Sequence, residues 1–284
     1  MTVLEAIQKS TDFLAKKNLD SPRLQTELLL AHLLQLPRMK LYLNFERALT
    51  PAEVDQFRDL IKRRSLREPL QHITGSTSFC GYEMTVNRHV LVPRPETELL
   101  AEAGWTFLAT RPVPATALDF GAGSGCLAIA LALKCPAAQV TALDISEPAL
   151  AVARANAARH LVADRLQFLH GDAFTPLPPE ARFDLIISNP PYIPTAEIPT
   201  LDPEVRDFDP AGALDGGPDG LKFYALLARS AARHLRPGGK LMCEFGDGQA
   251  PAIQSLFEKE NWTVESIQND YTHRPRLLIA SPKP

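Results

Sequence analysis

Asn189-Pro190-Pro191-Tyr192 combines residue types that folding alone seldom demands side by side. A side-chain amide offers an oxygen acceptor, a proline keeps its carbonyl but lacks an N–H, and each proline holds the residue before it extended. Two oxygens held in fixed directions can bind both hydrogens of a planar amino group, and a tyrosine ring can stack on its plane. Asn189, Pro190 and Tyr192 are therefore the catalytic candidates, with Pro191 beside them in the substrate pocket. Consecutive prolines also end strands without any ligand, so the reading depends on context. Here the apolar run Phe183-Asp184-Leu185-Ile186-Ile187-Ser188 precedes them and predicts a buried strand. The motif then falls at the carboxyl end of a sheet, where open α/β folds bind ligands.

A second candidate lies upstream. Asp119-Phe120-Gly121-Ala122-Gly123-Ser124-Gly125 sits between a predicted strand and a predicted helix, so backbone can approach a ligand while helix amides face its anionic group. Gly121, Ala122, Gly123, Ser124 and Gly125 are accordingly cofactor-binding candidates. Asp144 follows about twenty residues later, where a carboxylate can accept from both hydroxyls of a ribose. A helix-capping role competes for Asp144, but Ser146 supplies the cap and is expected to leave it free. Asp172 is expected to accept from an adenine amine, with Ala173 next to it, and Asn189 borders the same cofactor. This order also fits a nicotinamide dinucleotide. The third glycine, however, comes one residue early for that fingerprint, with Cys126 and Leu127 where glycine or alanine belongs. Asp119 is similar to the acidic residue opening the cofactor loop of class I methyltransferases, where it would receive the ammonium of S-adenosylmethionine. Methyl transfer from a sulfonium requires the acceptor nitrogen in line, and an amide nitrogen, its lone pair delocalised, needs orienting. No separate base is nominated, because the proton can leave once transfer from a cationic donor has begun.

These loops need a framework. Strand patterns fall near 116–120, 139–144, 166–170, 183–188, 240–245, 263–268 and 276–280, and helical ones near 96–109, 125–134, 147–160, 221–235 and 249–260. That alternation predicts a parallel α/β sheet wrapped by helices. The first seventy residues read as helices only. Val3, Leu4, Ile7 and Leu14 share one face, Ser21-Pro22 starts a helix carrying Leu24, Leu28, Ala31 and Leu34, and Thr50-Pro51-Ala52-Glu53 forms a capping box ahead of Val54, Phe57 and Ile61. Lys62, Arg63, Arg64 and Arg67 close that helix, where cations suit its dipole; a binding patch is the minority reading. Gly75 and Gly81 punctuate short apolar runs. The expected organisation is a helical domain over 1–75, a hairpin or extended linker over 76–93 and a catalytic domain over 94–284. The proline- and glycine-rich segment between Tyr192 and Leu221 is long enough to be a substrate-contacting flap.

Composition excludes little but points consistently. With 284 residues there is room for a small domain and a larger one, and 45% hydrophobic with 22% charged residues is ordinary for a globular chain. A formal net charge of -3 provides no global attraction to nucleic acid. Four cysteines without close spacing and seven scattered histidines support neither a disulfide scaffold nor a metal site. No run of apolar residues is long enough to span a membrane, and a cytoplasmic protein is expected.

Several blocks, in order, carry a resemblance. They are Glu68-Pro69-Leu70-Gln71-His72-Ile73-Thr74-Gly75, Phe79-Cys80-Gly81-Tyr82, Val92-Pro93-Arg94-Pro95-Glu96-Thr97-Glu98, Asp119 to Gly125, Asp144, Asn189 to Tyr192, and Ala213 to Leu221. Over almost its whole length the chain resembles the protein-glutamine methyltransferases that modify bacterial peptide-chain release factors. The resemblance implies a class I methyltransferase, Rossmann-like sheet with helices on both faces, preceded by a small all-α N-terminal domain. It further implies S-adenosylmethionine as cofactor and a release factor docked by the helical domain. The factor's Gly-Gly-Gln loop would present glutamine to Asn189, and no direct nucleic acid, membrane or metal is required. Ala173 and Tyr271-Thr272-His273-Arg274-Pro275 depart from the usual family wording. Glu96 and Glu98 suit a helix's first turn and stand outside the expected site. The acceptor motif alone is shared with adenine-N6 DNA and guanine-N2 RNA methyltransferases. A nucleic-acid base methyltransferase therefore stands as the alternative, as does a noncatalytic module of the same fold.

Overall fold

The computed structural model describes residues 1–283, and Pro284, the last residue of the expected catalytic domain, lies outside them. By its internal contacts the chain divides into two compact units, one of Met1–Ser76 with Asp202–Phe208 and one of Thr77–Leu201 with Asp209–Pro284. No described helix is long and apolar enough to cross a membrane.

The first unit is helical: α1 (Val3–Ala15), α2 (Pro22–Leu34), α3 (Arg38–Leu41), α4 (Pro51–Ser65) and α5 (Leu70–Thr74). The capping box at Thr50 forms as expected, and a second box, not anticipated, joins Thr2 and Glu5 at the start of α1. Val3, Ile7 and Leu14 of α1 meet Leu29 and Leu30 of α2 and Phe57 and Ile61 of α4 in one core. The expectations for α2 hold only in part: Ala31 is buried and Leu34 packs against the core. Ser21 takes a left-handed conformation (φ 44°) and its side chain caps nothing, so Pro22 alone marks the start. The buried face is Thr26, Glu27, Leu29, Leu30 and Ala31, while Leu24 is exposed, because the dense leucine run leaves helical periodicity ambiguous.

The second unit begins at Thr77, within a hairpin, one of the two forms expected over 76–93. Strands β1 (Ser76–Phe79) and β2 (Tyr82–Thr85) turn through Cys80 and Gly81, both left-handed (φ 51° and 79°), the backbone a two-residue hairpin turn requires. Glu98 holds that turn by accepting from Cys80 N at 2.7 Å. The remaining elements are α6 (Thr97–Leu108), β3 (Thr116–Phe120), α7 (Cys126–Lys134), β4 (Gln139–Asp144), α8 (Glu147–Arg159), β5 (Leu166–His170), β6 (Phe183–Ser188), α9 (Pro203–Arg206), α10 (Lys222–Ser230), β7 (Leu235–Glu244), α11 (Ala250–Lys259), β8 (Trp262–Asn269) and β9 (Pro275–Pro282). Of these, α9 falls within the first unit.

The seven strands are ordered β5-β4-β3-β6-β7-β9-β8, parallel except that β9 runs against β7 and β8. Alternation in β6 sends Leu185 and Ile187 into one apolar core and Ile186 into another, so helices cover both faces. Helix α6 comes so close to the sheet that a Cβ on Gly104 would stand 2.9 Å from Ile187 Cδ1. Polar tips inside the second core are satisfied: Tyr224 donates to the Glu244 carbonyl at 2.9 Å and Trp262 to that of Ala228 at 2.7 Å. Strand order reverses between β3 and β6, and the crevice at that reversal is where such sheets bind ligands.

Candidate active site

Three glycines shape the loop after β3 in two ways. Gly121, Gly123 and Gly125 all adopt positive φ (81°, 54° and 78°), but only the first two face open space where a Cβ would stand. Gly125 is a packing glycine, since its Cβ would lie 3.0 Å from that of Ala153 on α8. Gly121 N and Ala122 N both donate to the Leu143 carbonyl, and Gly123 N donates to Asp144 Oδ2 at 2.7 Å. Asp144 is thus not free, contrary to expectation: Oδ1 accepts from Ser146 N at 2.8 Å, although the Ser146 hydroxyl does cap α8 through Ala149 N. It braces the loop it was expected to serve. Each carboxylate oxygen retains a second acceptor direction, so a ribose can still be bound.

Asp119 is fully buried at the root of the loop. Its Oδ2 accepts from Ala128 N in the first turn of α7 at 3.0 Å, and its Oδ1 has no partner among the described residues. Burial pushes this carboxyl up to about 7, with the nearby Asp144 charge adding to the shift. An unpartnered buried carboxylate oxygen beneath an open glycine cradle fits a cofactor carrying an ammonium group. At the end of β5, Asp172 is exposed and Ala173 left-handed (φ 52°), while Phe174 is buried against Phe120 and His234. Asn156 was invisible in sequence, reading as one polar residue of an alanine-rich helix. Fully buried, it donates to the carbonyls of Ser124 and Thr85 and accepts from Thr85 N, joining the cofactor loop to β2.

The acceptor motif leaves the neighbouring strand. Ser188 Oγ donates to the Phe120 carbonyl at 2.6 Å, which ties the end of β6 to the end of β3 and brings the two loops side by side. Pro190 is buried, and Asn189, Pro191 and Tyr192 are half-buried. Asn189 Nδ2 donates to Thr97 Oγ1 at 3.0 Å, and Thr97 Oγ1 donates to Glu244 Oε2 at 2.7 Å. Asn189 also bonds the Glu244 side chain. Burial lifts Glu244 to about 7 against those bonds.

Around Tyr192 the backbone is closely fitted. Gln249 Nε2 donates to its carbonyl at 2.9 Å, and a Cβ on Gly246 would stand 2.9 Å from its ring. A Cβ on Gly216 would stand 2.9 Å from Pro191 O, and one on Gly220 would collide with the Tyr192 carbonyl oxygen. Ile193 pairs with Asp215, and Thr195 N donates to the Gly217 carbonyl. The two ends of the expected flap are therefore tied to each other, and its returning end packs against the motif. Sequence reading missed Thr97, Glu244, Gln249 and Gly246. A carboxylate ending an apolar strand, the pattern noticed at Asp144, was the available signal for Glu244.

Known proteins match most of the chain. Residues 5–75 match the family model of the PrmC N-terminal domain, and residues 98–200 that of the methyltransferase small domain. A release factor glutamine methyltransferase of Geobacter sulfurreducens is 45% identical over 258 residues, covering 91% of this chain and 89% of that one. One from Chlorobaculum tepidum is 42% identical over 284 residues, covering 98% and 96%. The chain belongs to the release factor glutamine methyltransferase family. Membership in it makes the chain an S-adenosylmethionine-dependent methyltransferase and removes the dehydrogenase reading of the glycine loop. A methyltransferase of Pyrococcus furiosus shares the fold, with a TM-score of 0.51 at 20% identity, over 81% of this chain and 99% of that one.

Proposed function

We propose that this chain transfers a methyl group from S-adenosylmethionine to the side-chain amide nitrogen of glutamine in the Gly-Gly-Gln loop of peptide chain release factors. The reading is carried by the orientation of the Asn189 amide. Its Nδ2 is engaged by Thr97 and Glu244, so Oδ1 is the atom left to accept from a substrate N–H. The Pro190 carbonyl accepts the second N–H, and with both hydrogens bound the amide nitrogen cannot rotate out of line. Tyr192 stacks on the amide plane; burial pushes its phenol up to about 12, so it stays neutral. When bound, S-adenosylmethionine supplies an electrophilic methyl on a sulfonium. Gly121 to Gly125, Asp144, Asp172 and Ala173 line its place, and Asp119 answers its ammonium. The helical unit docks the release factor, and the reaction belongs in the cytoplasm with translation.

A nucleic-acid acceptor finds less support, because the net charge of -3 gives no global attraction and the three arginines of the basic run that could have formed a binding patch are paired within the protein. Arg63 pairs with Glu68, and Arg64 and Arg67 pair with Glu204. The test is mass spectrometry of the Gly-Gly-Gln peptide after incubation of a release factor with enzyme and S-adenosylmethionine. A gain of one methyl on that glutamine is expected; its absence, or label on DNA or RNA instead, defeats the reading. Asn189→Ala should lower turnover by at least about a hundredfold while leaving cofactor affinity, measured by calorimetry, nearly unchanged.

A further inference from the structure

Asn189 owes its orientation to two side chains that the acceptor need not touch. A side-chain amide can rotate by half a turn with little change in shape, exchanging its oxygen for its NH2. Turned that way, Asn189 would present N–H to the N–H of a glutamine, and nothing would bind. Thr97 stands against this. Its single hydroxyl hydrogen points to Glu244 Oε2 at 2.7 Å, so toward Asn189 the hydroxyl can only accept, and Nδ2 is the group that meets it at 3.0 Å. Both supports are buried. Thr97 is the first residue of α6 and 3% exposed, with its N–H bonded to the Arg94 carbonyl, and Glu244 ends β7, also 3% exposed.

We infer that Thr97 and Glu244 are positioning residues for methyl transfer, holding the Asn189 amide with its oxygen toward the acceptor. The inference rests on Asn189 being the acceptor-binding residue. It also gives the network a direction, because only an ionised Glu244 compels Thr97 to donate to it. A protonated Glu244 can donate to Thr97 instead, freeing the threonine hydrogen to turn toward Asn189 and favour the wrong amide face. Burial lifts Glu244 to about 7, opposed by its bonds to Thr97 and Asn189 and by Arg276, and assisted by Glu96. The other titratable groups against it are Tyr192, Tyr224 and Cys243, all raised by burial and neutral in this range. Turnover at saturating cofactor should therefore rise with pH through about 7.

The experiment measures kcat and KM for release factor methylation, cofactor Kd and Tm for wild type, Thr97→Val, Thr97→Ser, Glu244→Gln and Asn189→Ala, at saturating S-adenosylmethionine from pH 5.5 to 8.5. Thr97→Val should lose about ten- to a hundredfold in kcat with cofactor Kd unchanged. Thr97→Ser, which keeps the hydroxyl, should recover most of that loss. Glu244→Gln should remove the rise near pH 7. A Thr97→Val enzyme with wild-type kcat, a serine variant as impaired as the valine one, or a Glu244→Gln enzyme that keeps the rise would each overturn the inference. Should Thr97→Val fail to fold, the pH profile of Glu244→Gln decides. Full activity of Asn189→Ala would instead defeat the acceptor reading beneath it, whereas an inactive Asn189→Ala beside a fully active Thr97→Val would defeat positioning alone.

Discussion

At Asp119, a carboxyl buried without a partner for Oδ1 and lifted to about 7 makes cofactor binding a proton-linked event. Burial penalises the charged form, and an ammonium group beside it restores that form. The sign follows: below about 7 the empty site holds a proton that binding must expel, and above it the carboxylate is already ionised. Affinity for S-adenosylmethionine should accordingly weaken by up to about tenfold per pH unit as pH falls below 7. Calorimetry in two buffers of different ionisation heat should record proton release at pH 6, and proton uptake at pH 8.5, where the ligand's own amine, of ordinary pKa about 8, must gain a proton to bind as ammonium. Asp119→Asn should remove the dependence. Asp119 was legible in sequence because its place before the glycines is fixed by the loop. The missing partner was not, since solitude in a core is a property of the surroundings.

The acceptor loop depends on elements that carry no reactive group. Four residues of Asn-Pro-Pro-Tyr stiffen themselves through proline, yet the Pro191 and Tyr192 carbonyls lie against the returning segment at Gly216 and Gly220, and the Tyr192 ring lies against Gly246 after β7. Gly220 combines a positive φ of 74° with a carbonyl oxygen and an amide nitrogen where a side chain would begin. Gly220→Ala should cost more than about 1 kcal/mol of stability and reduce kcat more than it reduces cofactor affinity. Urea unfolding and steady-state kinetics together check this, and an unchanged kcat would separate the returning segment from the acceptor loop. Most strands and helices were legible nearly to their ends, because period 2 and period 3.6 are written in neighbouring residues; the exception is the helix expected over 221–235, which stops at Ser230, with β7 starting at Leu235 rather than near 240. Where apolar residues crowd, as in the leucines of α2, the same signal loses its phase.

Over the whole chain, one segment changes company. Between Leu201 and Asp209 the chain leaves the catalytic unit, and Asp202–Phe208 belongs by its contacts to the helical unit. Glu204 holds it there through Arg64, whose side chain is only 6% exposed, and through Arg67. Arg64 also donates to Gln25 and to the Glu68 carbonyl. Removing the carboxylate by Glu204→Ala leaves a buried guanidinium short of its counter-ion, at a cost of about 1–3 kcal/mol. Limited proteolysis should then cut between residues 200 and 210 faster than in wild type. The sequence by itself determined the fold class, most strand positions and the two loops, all of which depend on residues within a few positions of one another, but it left 76–93 open between a hairpin and an extended linker. Tertiary structure alone decided that Thr97 faces Asn189, 92 residues away, and Glu244, 147 away, that Asn156 braces Ser124, and that Arg64 meets Glu204. Such partners are chosen by strand order and by the closing of a core, where a polar group must find whichever acceptor the packing leaves beside it.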